Sequence, residues 1–448
     1  MTLPDESDER RRGTHLLVSF AIVAAFTIAA WGRLSLPFST TEAVFVHEAL
    51  RASGQASTPD FSMPDNPVPA QVLGVIQQLV GTSERALRLV FLLLLVASAW
   101  VLAELLPRAG LAATCVLTVG MLGYAMTNEL VLPQLVSVFP AALAILAAPI
   151  GRPTTNLRAI LGIAGALALG ALGLKAALNA ALILVAIALV LGTLLDRLTA
   201  VVTAAVAVAT AWALGRGPAL PNWSYGLVGG RNDSEVIGIV ALIAFGGLVI
   251  ASLVVNDGHR RQRVALFVAA VASWIVVYFA CFAAVQVRVD GPWADWTDVQ
   301  VAFGPSRIVA MLLLAHAVSS LRGIVQVVAV AIIAAALVFR MSDHEAAPRT
   351  ALGVLSEARA VAQPGVGLAV GGPDRVSVAV YARLGNAPSM PVIYMPEDAT
   401  SATLAEHARK LEVQRLWLFP ALAEPIEGFS RPESRPASAK LLMPLVLD

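Results

Sequence analysis

RLVFLLLLVASAWVLAELL, running from Arg88 to Leu106, decides the fold class. Its charges sit only at Arg88 and Glu104, and everything between them is uncharged. An apolar run of about twenty residues is long enough to cross a bilayer as a helix. A helix is favoured there because it satisfies its own backbone hydrogen bonds where no water can.

Runs of the same kind lie on both sides of it. Eleven apolar segments fall near 16–31, 88–106, 109–127, 133–150, 159–174, 176–194, 199–214, 236–255, 264–286, 306–320 and 323–340. The pair flanking Lys175 reads as two short spans meeting at a tight break. The composition agrees: 58% of residues are hydrophobic, only 14% are charged, and the mean hydropathy is +0.76. Soluble domains carry about a quarter charged residues. A net charge of +1 excludes a strongly basic nucleic-acid surface, so no nucleic-acid partner is expected. Cys115 and Cys281 both lie in apolar runs and read as small buried hydrophobes.

The expected architecture is a polytopic α-helical membrane protein of about eleven transmembrane helices with a small extracytoplasmic C-terminal α/β domain. Arg10 to Arg12 before the first run imitate a signal peptide, but the acidic start from Asp5 to Glu9 and the later spans favour a retained helix. With residues 1–15 as a cytoplasmic tail, the inner loops hold Arg108, Arg152, Arg158, Arg197, the cluster His259, Arg260, Arg261 and Arg263, and Arg322. Positive charge favours the inner side. Outer loops also carry arginine, so the bias is moderate. It places the long loop 32–87 outside, within a membrane body 16–340 in the inner or plasma membrane.

After Arg340 the hydropathy falls. Residues 341–448 read as alternating elements: helix near 350–362, strand 367–370, helix near 375–384, strand 392–395, helix 401–411 and strand 415–419. That alternation predicts a small unit with parallel strands. The turn Gly371-Gly372-Pro373 reads as an ordinary strand-to-helix connection.

Loop 32–87 is the most informative polar stretch. TEAVFVHEALRAS, residues 41–53, predicts a helix with Glu42 in its first turn, where a carboxylate suits the helix dipole. A proline turn follows, with Asp60, Asp65 and Asn66, then an amphipathic helix over 70–80 suited to a membrane surface. GTSERALR, residues 81–88, enters the next span, and Arg85 and Arg88 share a helical face. They either snorkel to the interface or grip a phosphate at headgroup depth.

Other candidates lie further on. Glu129 follows Asn128 at the outer end of the third span. Lys175 sits between two apolar runs, with Asn179 one turn later. An intramembrane cation is costly and is a functional candidate by default. The loop 287–307 carries Asp290, Trp293, Asp295, Trp296, Asp298 and Arg307. Its tryptophans suit an interface belt, or stack on sugar rings.

The order of these features resembles the GT-C superfamily of lipid-dependent glycosyltransferases, nearest the protein O-mannosyltransferase and aminoarabinose transferase branch. The resemblance covers 1–340 in architecture, with motif support mainly in 37–92. Thr41-Glu42-Ala43 stands where those proteins read Asp-Glu-Ala, and Asn66-Pro67-Val68-Pro69 where they read Lys-Pro-Pro-Leu. Gly173-Leu174-Lys175-Ala176 is similar to their Thr-Lys-Gly, and Gly304-Pro305-Ser306-Arg307 stands where they often have Arg-Tyr. Their soluble outer C-terminal domain matches 341–448 in position.

The resemblance implies a sugar transfer from a polyprenyl-phosphate donor, with inversion, to a glycolipid, polysaccharide or protein acceptor outside the membrane. It implies Arg85, Arg88, Lys175 and Arg307 on the lipid phosphate, and Trp293 and Trp296 on the sugar. The family's base is the Asp replaced here by Thr41, which has no carboxylate. Glu42, Asp60, Asp65 or Glu129 would then serve as base, or an outer-loop carboxylate would hold a divalent cation. Two other readings stay open: a catalytically silent relative that binds lipid-linked sugar, and a transporter or flippase.

Overall fold

The computed structural model describes residues 6–38, 40–54, 67–106, 110–122, 130–151, 154–214, 246–273, 294–342, 349–371, 375–386, 388–395, 401–420, 428–430 and 441–447. The chain is mostly helical and divides into two compact units. The first comprises Met1–Ser35, Pro64–Val72 and Arg85–Asp343, and the second Leu36–Met63, Leu73–Glu84 and His344–Asp448.

The first unit holds α1 (Glu6–Ala30), α4 (Glu84–Ala103), α5 (Gly110–Leu122), α6 (Pro133–Ile145), α7 (Asn156–Leu172), α8 (Leu174–Leu191) and α9 (Leu194–Ala213). It continues with α10 (246–254), α11 (260–273), α12 (Ala294–Ser319) and α13 (Ile324–Ser342). Between α1 and α4 the chain forms α2 (Thr40–Ala52) and α3 (Val68–Val80), where the loop was read as two helices.

Among the described residues four helical segments are long and apolar enough to cross a membrane: Glu84–Ala103, Leu174–Leu191, Leu194–Ala213 and Val301–Ser319. Several of the other expected spans are shorter apolar helices, including Leu111–Leu122, Pro133–Ile145 and Asn156–Leu172. The expected break beside Lys175 is at Gly173, whose φ of +154° separates α7 from α8. One expectation changes. The loop read over 287–307 is helical from Ala294 onward, because α12 runs through Gly304 and Pro305.

α12 is the buried axis of this unit and packs on α5, α6 and α8, while α7, α8 and α9 pack on one another. Small residues set the spacing. A Cβ on Gly165 would lie 2.5 Å from Ala144 N and Pro140 O, so α7 touches the backbone of α6 there. Gly304 presses likewise on Ser137, whose hydroxyl donates to Val301 O at 2.7 Å. Close backbone approach is how helices gain dispersion contact where lipid removes the usual hydrophobic drive.

Several arginines of the basic loops cap carbonyls. Arg158 donates to Leu146 O and Ala148 O, Arg260 to Leu253 O, and Arg197 to Leu189 O. Arg263 is fully buried. It donates to Ser252 O and Val255 O and pairs with both Asp257 carboxylate oxygens at 2.9 and 3.0 Å. Burial raises the Asp257 carboxyl's affinity for a proton, but the Arg263 hydrogen bond and charge, with His259, outweigh it and hold it below the usual range.

The second unit contains a five-stranded sheet of β1 (Val366–Val370), β2 (Val392–Tyr394), β3 (Arg415–Phe419), β4 (Phe429–Ser430) and β5 (Met443–Leu447), in the order β2-β1-β3-β5-β4. The three strands read from sequence are parallel, with Leu368 opposite both Val392 and Trp417. β5 and β4 were not anticipated and add antiparallel. The helices are α14 (Arg349–Val361), α15 (Arg375–Tyr381) and α16 (Ser401–Lys410). α14 buries Ala351, Val354, Leu355 and Ala358, one helical face. Leu404, Ala405 and Ala408 of α16 pack with Ile393, Leu416, Leu418 and Leu445 in the core.

Candidate functional site

α2 begins with Glu42 in its first turn, as its sequence predicts. Every residue from Glu42 to Leu50 is buried, and Glu42 is 0% exposed. A helix buried on all faces while carrying Glu42, His47 and Glu48 is unusual, because buried charge is costly. Burial first, and the Arg51 charge second, lower the His47 pKa to about 4, so its ring is neutral at pH 7.

Two elements cover α2. α3 crosses it at Gly74, where a Cβ would sit 3.3 Å from Ala49 O. α15, buried from Arg375 to Tyr381, packs on it from the C-terminal domain. The Tyr381 hydroxyl is one polar joint. It accepts the Phe38 N–H and donates to the Glu84 carboxylate at 3.0 Å, while its ring stacks on Phe38 at 6.2 Å. So the segments just before α2 and just after α3 are bonded to one side chain. Sequence reasoning missed Tyr381. No local pattern marks a hydroxyl whose partner lies 343 residues away.

The four cations singled out from the sequence, all in the first unit, fall into two pairs. Arg85 and Arg88 both face the segment after α1. Arg85 is exposed with its guanidinium 5.0 Å from the Trp31 ring centroid. Arg88 is buried and donates to Leu34 O at 3.4 Å. These contacts brace α4 against the chain leaving α1.

Lys175 and Arg307 are half-buried, on α8 and α12. One turn from Lys175, Asn179 is fully buried and donates to Ala302 O at 2.8 Å and Ser306 Oγ at 2.7 Å. Ser306 in turn bonds Ser273 of α11 at 2.7 Å. Arg307, the next residue, donates to Gly120 O of α5 at 3.3 Å. A polar line thus joins α8, α12 and α11 within one turn of both cations. Asn179 was noticed for its spacing from Lys175; Ser273 gave no signal, because serine is common in apolar spans.

Asp65, Glu129 and Trp293 lie outside the described residues, as does the side chain of Trp296, whose backbone belongs to α12. Among the described residues no three His, Cys, Asp or Glu side chains gather to hold a metal ion. In the C-terminal domain, Gly371 N–H donates to Phe419 O at 2.7 Å and Arg375 to Met395 O at 2.7 Å, so these groups brace the carboxyl ends of the parallel strands.

His316 was also missed. It is buried in α12, both ring nitrogens lack a hydrogen-bond partner among the described residues, and the charges of His259, Arg263 and Asp257 act on it. No protein-family model, curated protein or solved structure matches the chain.

Proposed function

We propose that this chain is an integral membrane glycosyltransferase that moves a sugar from a polyprenyl-phosphate donor to an acceptor outside the membrane. The observation that supports this most is the Asn179–Ser306 bond, which ties α8 to α12 with Lys175 and Arg307 within a turn of it. Two cations on packed helices suit a phosphate arriving at headgroup depth with its tail in lipid. In this reading the body makes about eleven crossings and the C-terminal domain lies outside.

The chemistry is a displacement at the anomeric carbon. The acceptor oxygen forms the new bond as the bond to the phosphate oxygen breaks. The acceptor proton passes to a carboxylate, with Glu42 the first choice among Glu42, Asp65 and Glu129. Lys175 and Arg307 balance the charge developing on the leaving phosphate. Trp293 and Trp296 would flank the sugar.

The test is donor binding. The protein in lipid nanodiscs is titrated with a polyprenyl-phosphate hexose, and then with the same lipid lacking phosphate. Tight binding that needs the phosphate and is lost in Lys175→Ala with Arg307→Ala supports the proposal; equal binding of both lipids overturns it. A silent lipid-sugar binder is the second reading, favoured by Thr41 in the family's Asp position and by the full burial of Glu42. It predicts the same binding without transfer.

A further inference from the structure

A general base must come within hydrogen-bond reach of the proton it removes, directly or through one water. Glu42 is 0% exposed, so no acceptor hydroxyl reaches it in this conformation. Part of what covers α2 belongs to the C-terminal domain, through α15. One polar joint beside that cover is the Tyr381 hydroxyl. Tyr381 takes the N–H of Phe38, four residues before Glu42, and gives its proton to Glu84 beyond α3. A hydroxyl with both bonds made is cheap to keep, whereas its removal costs both bonds.

We propose that the C-terminal domain is a gate on the outer helix. Tyr381 is its latch, and Glu42 becomes accessible when α15 and α2 separate. The gating role rests on the transfer reading above; the latch itself does not. The Tyr381 ring packs on Phe38 independently of its hydroxyl, so Tyr381→Phe removes the latch and keeps the stacking. Glu84→Gln keeps an acceptor oxygen and removes only the charge. Each chain segment involved is bonded within the second unit, so opening is a local event.

The experiment is amide hydrogen exchange on the full chain in nanodiscs. In Tyr381→Phe, residues 40–52 and 375–381 should exchange faster together, by roughly tenfold, since losing one buried hydrogen bond shifts a local opening equilibrium by about that much. The sheet strands and α12 should be unchanged. Glu84→Gln should lie between the variant and wild type. Unchanged exchange in α2, or loosening of α2 without α15, overturns the latch. Loosening that spreads to the sheet core in Tyr381→Phe but not in Glu84→Gln marks a folding defect, and Glu84→Gln then decides by the same criterion. If both variants open α2 while wild-type protein binds no lipid phosphate, the latch stands and the transferase reading falls.

Discussion

Asn179 donates its amide to Ser306 Oγ at 2.7 Å across the packed faces of α8 and α12, and both side chains are buried. The same amide reaches Ala302 O, so one side chain fixes two turns of α12. Asn179→Leu keeps volume and removes both bonds. It should lower the thermal midpoint of the detergent-solubilised protein through a loss of about 1–2 kcal/mol. It should also weaken polyprenyl-phosphate binding, since it frees Lys175 and Arg307 from a common frame. Asn179→Leu with wild-type stability and binding would separate this polar line from the site.

The second unit constrains topology. Residues 40–52 and 375–381 pack together, so they must lie on the same side of the membrane. The chain between Glu84 and Arg349 must therefore cross an even number of times. Reporter fusions at Gly54 and Glu357 should behave alike, and under the proposed orientation both should be exported. Opposite behaviour at the two sites would contradict the packing of α2 on α15; cytoplasmic behaviour at both would overturn the proposed orientation and, with it, transfer on the outer face.

Arg263 donates to four oxygens and has no exposed surface, so its charge relies on Asp257. Asp257→Asn should destabilise the first unit by about 1–3 kcal/mol, while Arg261→Gln should change little. The Asp257 carboxyl is held below its ordinary range, so its stabilisation is full above that range. It is lost as the pH falls through the folded value. A thermal melt across acid pH should show a drop in wild type that Asp257→Asn lacks.

His47 gives a second pH dependence. Its pKa falls from 6.5 to about 4, so the unfolded chain binds a proton that the folded helix refuses. The second unit should be unaffected above about pH 7 and weaken as pH drops from 6.5 towards 4, by up to about 3 kcal/mol. Amide exchange of residues 40–52 measured across that range should accelerate in wild type and stay flatter in His47→Gln. Equal acceleration in both would assign the effect to another group.

Gly165→Ala places a methyl 2.5 Å from two backbone atoms of α6, so the helices must part. A loss of about 1–3 kcal/mol is expected. Gly246→Ala meets nothing within 4 Å and serves as the control, with no loss.

The C-terminal elements were legible where apolar runs are bounded by turn residues. GLAV and RLWLF became β1 and β3, close to the expected limits. β5 was not, because Pro444 argues against an interior strand; it pairs opposite Trp417. Hydropathy marked the membrane runs but not their helix ends: α6 stops at Ile145 within a run read to 150. Gly304 and Pro305 looked like a loop, yet glycine there serves close packing on Ser137 and the helix continues. The charges Arg85, Arg88, Lys175 and Arg307 were visible as residue types. Their sorting into a bracing pair and a pair beside Asn179 depends on contacts between distant segments.

Transfer itself is the most direct measurement. Purified protein in nanodiscs is given a radiolabelled polyprenyl-phosphate hexose with a membrane extract as acceptor source, and release of polyprenyl phosphate is followed. Wild type should release it, and Glu42→Gln should be slower by a factor of about 10²–10⁴. Full release by Glu42→Gln would move the base to Asp65 or Glu129. No release by wild type, with the phosphate-dependent binding intact, would contradict the transferase account and leave a lipid-sugar binder.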